Sequence, residues 1–224
     1  MTMLTRSSAT EFVTTHRNPL ILALIGIVLP LLGFGLIAED VLSKQVFAWD
    51  ITWLETLHRS AAPFWDKFML AMTGIGDVKI LSGLVAFGLL ALWFNGKTRD
   101  MIFLISALVG AAAINIVLKL EFHRARPHLW NSLTPENGFG FPSGHTMGSV
   151  AVASALIVLA WNTPWRFAVL ILSTVFAVLV SLSRVYLGVH YPSDVLAGWA
   201  ISLAWVTLVT LILRRELFLP SLKV

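Results

Sequence analysis

Six apolar runs of about 17 to 20 residues govern what this chain can become: Pro19–Ala38, Val78–Phe94, Met101–Leu118, Ser143–Ala160, Arg166–Ser183 and Asp194–Leu213. A helix needs about 20 mostly apolar residues to cross the hydrocarbon core of a bilayer, and the shorter runs fit by tilting or by local thinning. Of the 224 residues, 12% are Asp, Glu, Lys or Arg and 57% are hydrophobic. A soluble domain of this size has too much surface to hide that apolar content, and a disordered chain is poor in it. The expectation is an all-α integral membrane protein, a six-transmembrane-helix bundle. No repeat, low-complexity tract or linker divides it, so one domain is expected over residues 1–224. The chain has no cysteine, which removes disulfides and thiolate metal sites. Its net charge of +4 arises from basic residues between the runs. They form no single stripe, which favours membrane topology and anionic ligands over nucleic acid.

The first run is too long for a signal peptide and no A-x-A site follows, so it reads as an uncleaved anchor. Six spans put both termini on one side. With that side inside, Arg6, Arg17, Lys97, Arg99, Arg166, Arg214, Arg215 and Lys223 fall in short inner segments. The outer segments hold as many basic residues over about twice the length, so density rather than number favours this orientation. Trp93, Trp161 and Trp165 sit where an inner aromatic belt belongs. In the long connection from Glu39 to Lys79, Val46, Trp49, Trp53 and Leu57 recur at helical spacing, as do Phe64, Phe68 and Met72. A pair of short amphipathic helices in the interface is expected there. Small residues four apart, Ala151 with Ala155 and Gly198 with Ser202, suit close helix packing in lipid.

The chemistry-bearing residues gather at the outer ends of spans three to six, which alternating topology brings to one membrane face. Lys119 and Arg126 are seven residues apart, two helical turns, and share a face if the third helix runs on to Pro127. Arg124 would point away from that stripe and His123 would lie near it. The bland alternative is snorkelling of cations at a membrane edge. Next comes Phe141-Pro142-Ser143-Gly144-His145-Thr146, opening an apolar helix. Ser143 suits an N-cap and Gly144 allows close approach to the backbone. A helix N-terminus with free N–H groups is an anion site, and His145 in its first turn can give or take a proton there. The alternative is a plain cap with an incidental imidazole. In the third cluster Arg184 can grip an oxyanion bidentately. His190 and Asp194 are four apart, so the carboxylate can fix one ring nitrogen and leave the other free as a nucleophile. The alternative is a His–Asp pair that caps a helix. All three bland alternatives would have to hold together on one face. A phosphate-like anion bound by cations, with two histidines for nucleophile and acid, accounts for them jointly.

These residues resemble the type 2 phosphatidate phosphatase superfamily of integral-membrane lipid phosphate phosphatases, whose signature is K-x6-R-P, P-S-G-H and S-R-x5-H-x3-D. Here the three parts read Lys119 to Arg126-Pro127, Pro142 to His145, and Ser183-Arg184 to His190 to Asp194, in order and without departure. The resemblance implies that Lys119, Arg126, Ser143, Gly144 and Arg184 hold the phosphoryl oxygens. It implies that His190, oriented by Asp194, forms a phosphohistidine, and that His145 protonates the leaving group and then activates water. It also implies that no metal or other cofactor is needed, and the matched segments offer a single carboxylate.

The expected substrate is amphipathic: phosphatidate, phosphatidylglycerophosphate, undecaprenyl diphosphate or another lipid phosphate, with membrane lipids as the other partners and no nucleic acid. Segments 39–79 and 128–140 are expected to choose among them, with His123 a solvated neighbour. The expected location is a bacterial inner or plasma membrane, with both termini cytoplasmic and the site on the extracytoplasmic face. Three other readings stay open. The alternatives are a phosphotransferase that uses the same site with a lipid hydroxyl in place of water, and a protein that binds lipid phosphate without turnover. A transporter is disfavoured because no span carries an ionisable residue near its middle.

Overall fold

The computed structural model describes residues 19–214 and 217, and every described element is a helix. They are α1 (Pro19–Leu42), α2 (Ala48–Arg59), α3 (Pro63–Ile75), α4 (Val78–Phe94), α5 (Thr98–Phe122), α6 (Gly144–Ala160), α7 (Arg166–Tyr186) and α8 (Pro192–Leu213). Helix α1 contains one π-helical stretch, Leu24–Val28. Each apolar run of the sequence is a helix. Four of them, α1, α5, α7 and α8, are long and apolar enough to cross a membrane. Helix α4 reaches that standard together with α3, from which it departs by a 49° bend, and α6 is an apolar helix of 17 residues. Of the basic residues that orient the chain, Arg6, Arg17, Arg215 and Lys223 lie outside the described residues.

Helix α6 lies at the centre, packed against α5, α7 and α8, while α1 lies along α8. Ala151 and Ala155 of α6 are fully buried against Phe103, Ala107 and Ala111 of α5 and Val206 and Val209 of α8. Lipid tails are as apolar as these side chains, so burial alone does not drive the contact. Small residues instead let the backbones come close enough for dense van der Waals packing. Gly198 works the same way, since a Cβ there would lie 3.2 Å from Thr146 and from the Ser143 carbonyl oxygen. Ser202 adds a hydrogen bond from Oγ to the Met147 carbonyl at 3.1 Å.

Segment 39–79 does form two helices, but both are docked on the bundle. Helix α2 packs on α7 and α8, burying Asp50 and Leu54, and α3 packs on α7. Pro63 at the first turn starts α3, and Tyr186 of α7 donates its hydroxyl to Asp66 at 2.7 Å. Helix α4 packs on α5 and α6 and leaves a cleft between the three.

Candidate active site

Helix α5 stops at Phe122, short of Pro127, because His123 takes a left-handed conformation with φ of 47°. Arg126 therefore reaches the site from an irregular segment and not from the helical stripe that the spacing of Lys119 and Arg126 suggested. The segment is held by the Gly140 N–H donating to the Arg124 carbonyl at 2.8 Å. Phe141, fully buried, stacks on Phe34 and contacts Phe122. Ser143 then caps α6, its Oγ accepting from the Thr146 N–H at 3.5 Å. On the other side, Gly188 turns the chain after α7 with φ of +68°, and the N–H groups of Val189 and His190 fold back onto the Arg184 carbonyl. Pro192 begins α8, and Asp194 in its first turn accepts the Tyr191 N–H at 3.0 Å.

These turns bring Lys119, Arg126, Gly144, His145 and His190 to one cavity of about 590 Å³. His190 is 1% exposed. Its Nδ1 lies 3.3 Å from Asp194 Oδ2, and its Nε2 lies 2.9 Å from Arg126 Nη1. A guanidinium can only donate, so Nε2 is the acceptor and the ring proton belongs on Nδ1, facing the carboxylate. Burial pushes the imidazole pKa well below its ordinary value, and the charges of Arg184, Arg126 and Lys119 push the same way. The ring is neutral, oriented, and presents a lone pair towards the cavity.

The cations surround that lone pair. Lys119 donates to the Phe139 carbonyl at 2.7 Å, and Arg126 also holds the Val189 and Gly138 carbonyls at 2.9 and 3.2 Å. Arg184, 1% exposed, stands behind Glu136 and donates to it and to Thr73. Ser143 and Asp194 are fully buried behind the cavity wall. His145 also lines the cavity, with Nε2 3.9 Å from Asp77 Oδ2. Gly144 makes room for a neighbouring side chain as well as for a ligand: a Cβ there would come within 3.1 Å of Asn115 Oδ1. His123 is exposed and sits edge-on to Phe139.

Sequence reasoning missed four residues here. Glu136, from segment 128–140, bridges Arg126 at 3.0 Å and Arg184, so each of its oxygens takes one guanidinium. Burial raises its carboxyl pKa, but the two arginines outweigh that and leave it below the ordinary value. Asp77 faces His145 and also caps α4 through the Lys79 N–H at 2.8 Å. Arg124 does point away from Lys119 and Arg126, but it is buried. It donates to Asp194 at 2.5 Å, to Ser193 at 2.7 Å and to Asp50 at 3.0 Å. Only Arg124, two residues before Arg126, carried any signal in the sequence; Glu136, Asp77 and Asp50 lie outside every motif.

Below the polar end the cavity becomes an apolar cleft walled by Leu81, Val85, Leu89 and Leu108. From Lys119 to Leu108 along α5 is roughly 16 Å at ~1.5 Å per residue, about half of a ~30 Å hydrocarbon core. Val78, Val109 and Ile116, all exposed on the outside of the bundle, also line it, so it opens sideways between α4 and α5.

The family model of the PAP2 superfamily matches residues 100–217, which includes Lys119, Arg126, Glu136, His145 and His190 of the cavity. Phosphatidylglycerophosphatase B of Bacillus subtilis is 33% identical over 146 residues, 63% of this chain and 71% of that protein. Undecaprenyl-diphosphatase of Sulfolobus acidocaldarius is 33% identical over 113 residues, 50% of this chain and 52% of that one. The crystal structure of the transmembrane PAP2-type phosphatidylglycerolphosphate phosphatase from Bacillus subtilis superposes with a TM-score of 0.76 at 28% identity. That match covers 84% of this chain and 96% of the other. With more than half of its length matched by the family model, and with this fold, the chain belongs to the PAP2 superfamily.

Proposed function

We propose that the protein is a metal-independent membrane lipid phosphatase that works through a phosphohistidine on His190. The observation that carries the reading is the neutral imidazole itself. Nδ1 faces a buried carboxylate while Nε2 faces cations, in a cavity that continues into an apolar cleft. Membership of a phosphatase family and the two relatives named above support hydrolysis.

In the proposed reaction the phosphoryl group enters among Lys119, Arg126 and Arg184, displacing the Glu136 carboxylate, with Ser143 and Gly144 at the N-terminus of α6 completing the cradle. His190 Nε2 attacks phosphorus in line. The bond to the leaving oxygen breaks, and protonated His145 gives that oxygen its proton. Neutral His145 then takes a proton from water, the hydroxide attacks phosphorus, and the P–N bond breaks to release inorganic phosphate. Asp194 balances the positive charge on His190 while the covalent bond exists.

The cleft supports a substrate with an apolar tail beside the phosphate, such as phosphatidate, phosphatidylglycerophosphate or undecaprenyl diphosphate. Six spans (α1, α4, α5, α6, α7 and α8), with α2 and α3 at the interface, form one lipid phosphatase domain. In this reading both termini are cytoplasmic and the site faces the extracytoplasmic side of a bacterial membrane. The test is phosphate release by purified protein in detergent with excess EDTA, across those three lipids, with His190→Ala as control. EDTA-resistant release that the mutation abolishes is the expected result. Release that survives in His190→Ala, or is lost with EDTA, overturns the mechanism.

A further inference from the structure

Behind the His190–Asp194 pair lies a second, fully enclosed layer of charge. Asp194 Oδ1 accepts from Arg124 Nη1 at 2.5 Å while Oδ2 serves His190 and the Tyr191 N–H. Arg124 lies over the Tyr191 ring, 4.4 Å from its centre, and its Nη2 reaches Asp50 Oδ2 at 3.0 Å. Asp50 comes from α2, far outside the motif segments, and is 0% exposed. It also accepts from the Ser193 N–H at 2.8 Å and from Ser193 Oγ at 2.5 Å. Two fully buried carboxylates thus share one buried guanidinium, with every carboxylate oxygen occupied.

Such a cluster is costly. Removing charges from water is repaid only by close geometry, and an apolar replacement of similar volume is often as stable or more so. Burial pushes the Asp50 carboxyl up from its ordinary value, against the pull of Ser193 and Arg124. The cluster meets a need that packing alone does not explain: an ionised carboxylate beside a neutral imidazole. Arg124 is the only cation bonded directly to Asp194 among the described residues. Asp50 and Ser193 fix Arg124 in turn, and Asp50 leaves the cluster with a net charge of −1 facing an imidazole that becomes cationic during reaction.

We infer that Arg124, clamped by Asp50 and Ser193, is a positioning residue that sets the orientation and charge of Asp194 and, through it, of His190. The inference rests on His190 and Asp194 being the reacting pair. It assigns to α2 a part in catalysis in addition to its packing.

The groups facing the pair fix the sign of its pH dependence. Asp194 is faced by Arg124 and Arg126 from the segment after α5, Lys119 from α5, Asp50 from α2, and His190 and Tyr191 from its own turn. His190 is faced by Arg184, Arg126, Lys119 and Glu136. Removing the Arg124 charge makes both Asp194 and His190 easier to protonate, so the acid limb of kcat moves to higher pH. Removing the Asp50 charge makes both harder to protonate, so that limb moves to lower pH. A purely structural role gives neither displacement.

The test compares wild type, Arg124→Gln, Arg124→Lys, Asp50→Asn and His190→Ala. Each is assayed for phosphate release from phosphatidylglycerophosphate in detergent across the pH range, with thermal midpoints measured alongside. Arg124→Gln is expected to lose kcat by roughly tenfold to a hundredfold, as loss of a supporting partner typically does, with KM within about twofold. Its acid limb should rise by about one pH unit, Arg124→Lys should recover part of both losses, and Asp50→Asn should shift the limb the opposite way. Should Arg124→Gln fail to fold, Arg124→Lys and the near-isosteric Asp50→Asn carry the comparison. Unmoved pH profiles, with activity lost only in proportion to folded protein, overturn the inference while His190→Ala remains inactive. Turnover in His190→Ala instead overturns the reading of the pair itself, and this inference with it.

Discussion

Arg126 donates through Nη1 to Nε2 of His190 across 2.9 Å, on the side of the ring opposite Asp194. In the proposed mechanism, the nitrogen that attacks phosphorus therefore rests against the cation that holds the phosphoryl oxygens. In that mechanism, a phosphoryl group that captures Arg126 also uncovers Nε2 of His190.

The suppressed basicity of His190 predicts how stability depends on pH. Its pKa is held well below 6.5 by burial and by Arg184, Arg126 and Lys119. In the unfolded chain the imidazole takes up a proton as pH falls through 6.5, while the folded one does not. The unfolded state then binds more protons, so stability is lost as pH falls below that value. His190→Gln removes this loss. Between about pH 6.5 and pH 5 the variant should lose less stability than wild type, read from thermal midpoints in detergent. Parallel curves would contradict a buried neutral His190.

Asp194→Asn keeps the shape of the pair and removes its charge. The amide can present an N–H to Nδ1, which favours the wrong tautomer, and leaves Arg124 facing a weaker acceptor. The expected result is a kcat lower by roughly 10³-fold or more, with KM changed much less. Steady-state kinetics on folded protein checks it, and a loss under tenfold would remove Asp194 from the mechanism.

Glu136 bridges Arg126 and Arg184 where, in the proposed reaction, the phosphate binds. Substrate must compete with it. Glu136→Gln weakens that competition, so KM should fall by roughly threefold to tenfold and inhibition by inorganic phosphate should tighten in parallel. An increase in KM would mean that Glu136 helps to hold the substrate.

Gly188 has φ of +68°, and a Cβ there would lie 2.7 Å from the Trp130 ring. Trp130 is itself stacked on His58 of α2, with ring centres 4.0 Å apart. Gly188→Ala meets both the left-handed backbone penalty of about 1–2 kcal/mol and that contact. The thermal midpoint should fall. Activity should fall further than folding, because the turn two residues from His190 must shift.

The helical plan and the motif residues were legible in the sequence because both depend on short spacings. Apolar length marks a span, and His190 with Asp194 meet because four residues make one helical turn. The site's outer partners were hidden for the converse reason. Lys119 and Arg126 do converge, but through the left-handed turn at His123, where a continued helix was expected, and nothing in the local composition marks that turn. Arg124 was visible as a residue that leaves the Lys119 stripe, yet its destination depends on Asp50, 74 positions away. Glu136 and Asp77 enter through loop and helix-cap geometry, which periodicity does not report. The amphipathic pattern of segment 39–79 revealed helices but not that α2 would turn a carboxylate inward.

The sideways mouth between α4 and α5, edged by Val78, Val109 and Ile116, changes what concentration means for this protein. A molecule that enters there arrives by diffusion within a sheet, and its supply is measured per unit area of that sheet. Diluting the membrane with inert lipid should slow turnover even when the amount of substrate per volume is unchanged. The rate then reports the mole fraction of a phosphorylated lipid among its neighbours, which ties the protein's output to the makeup of the surface that surrounds it.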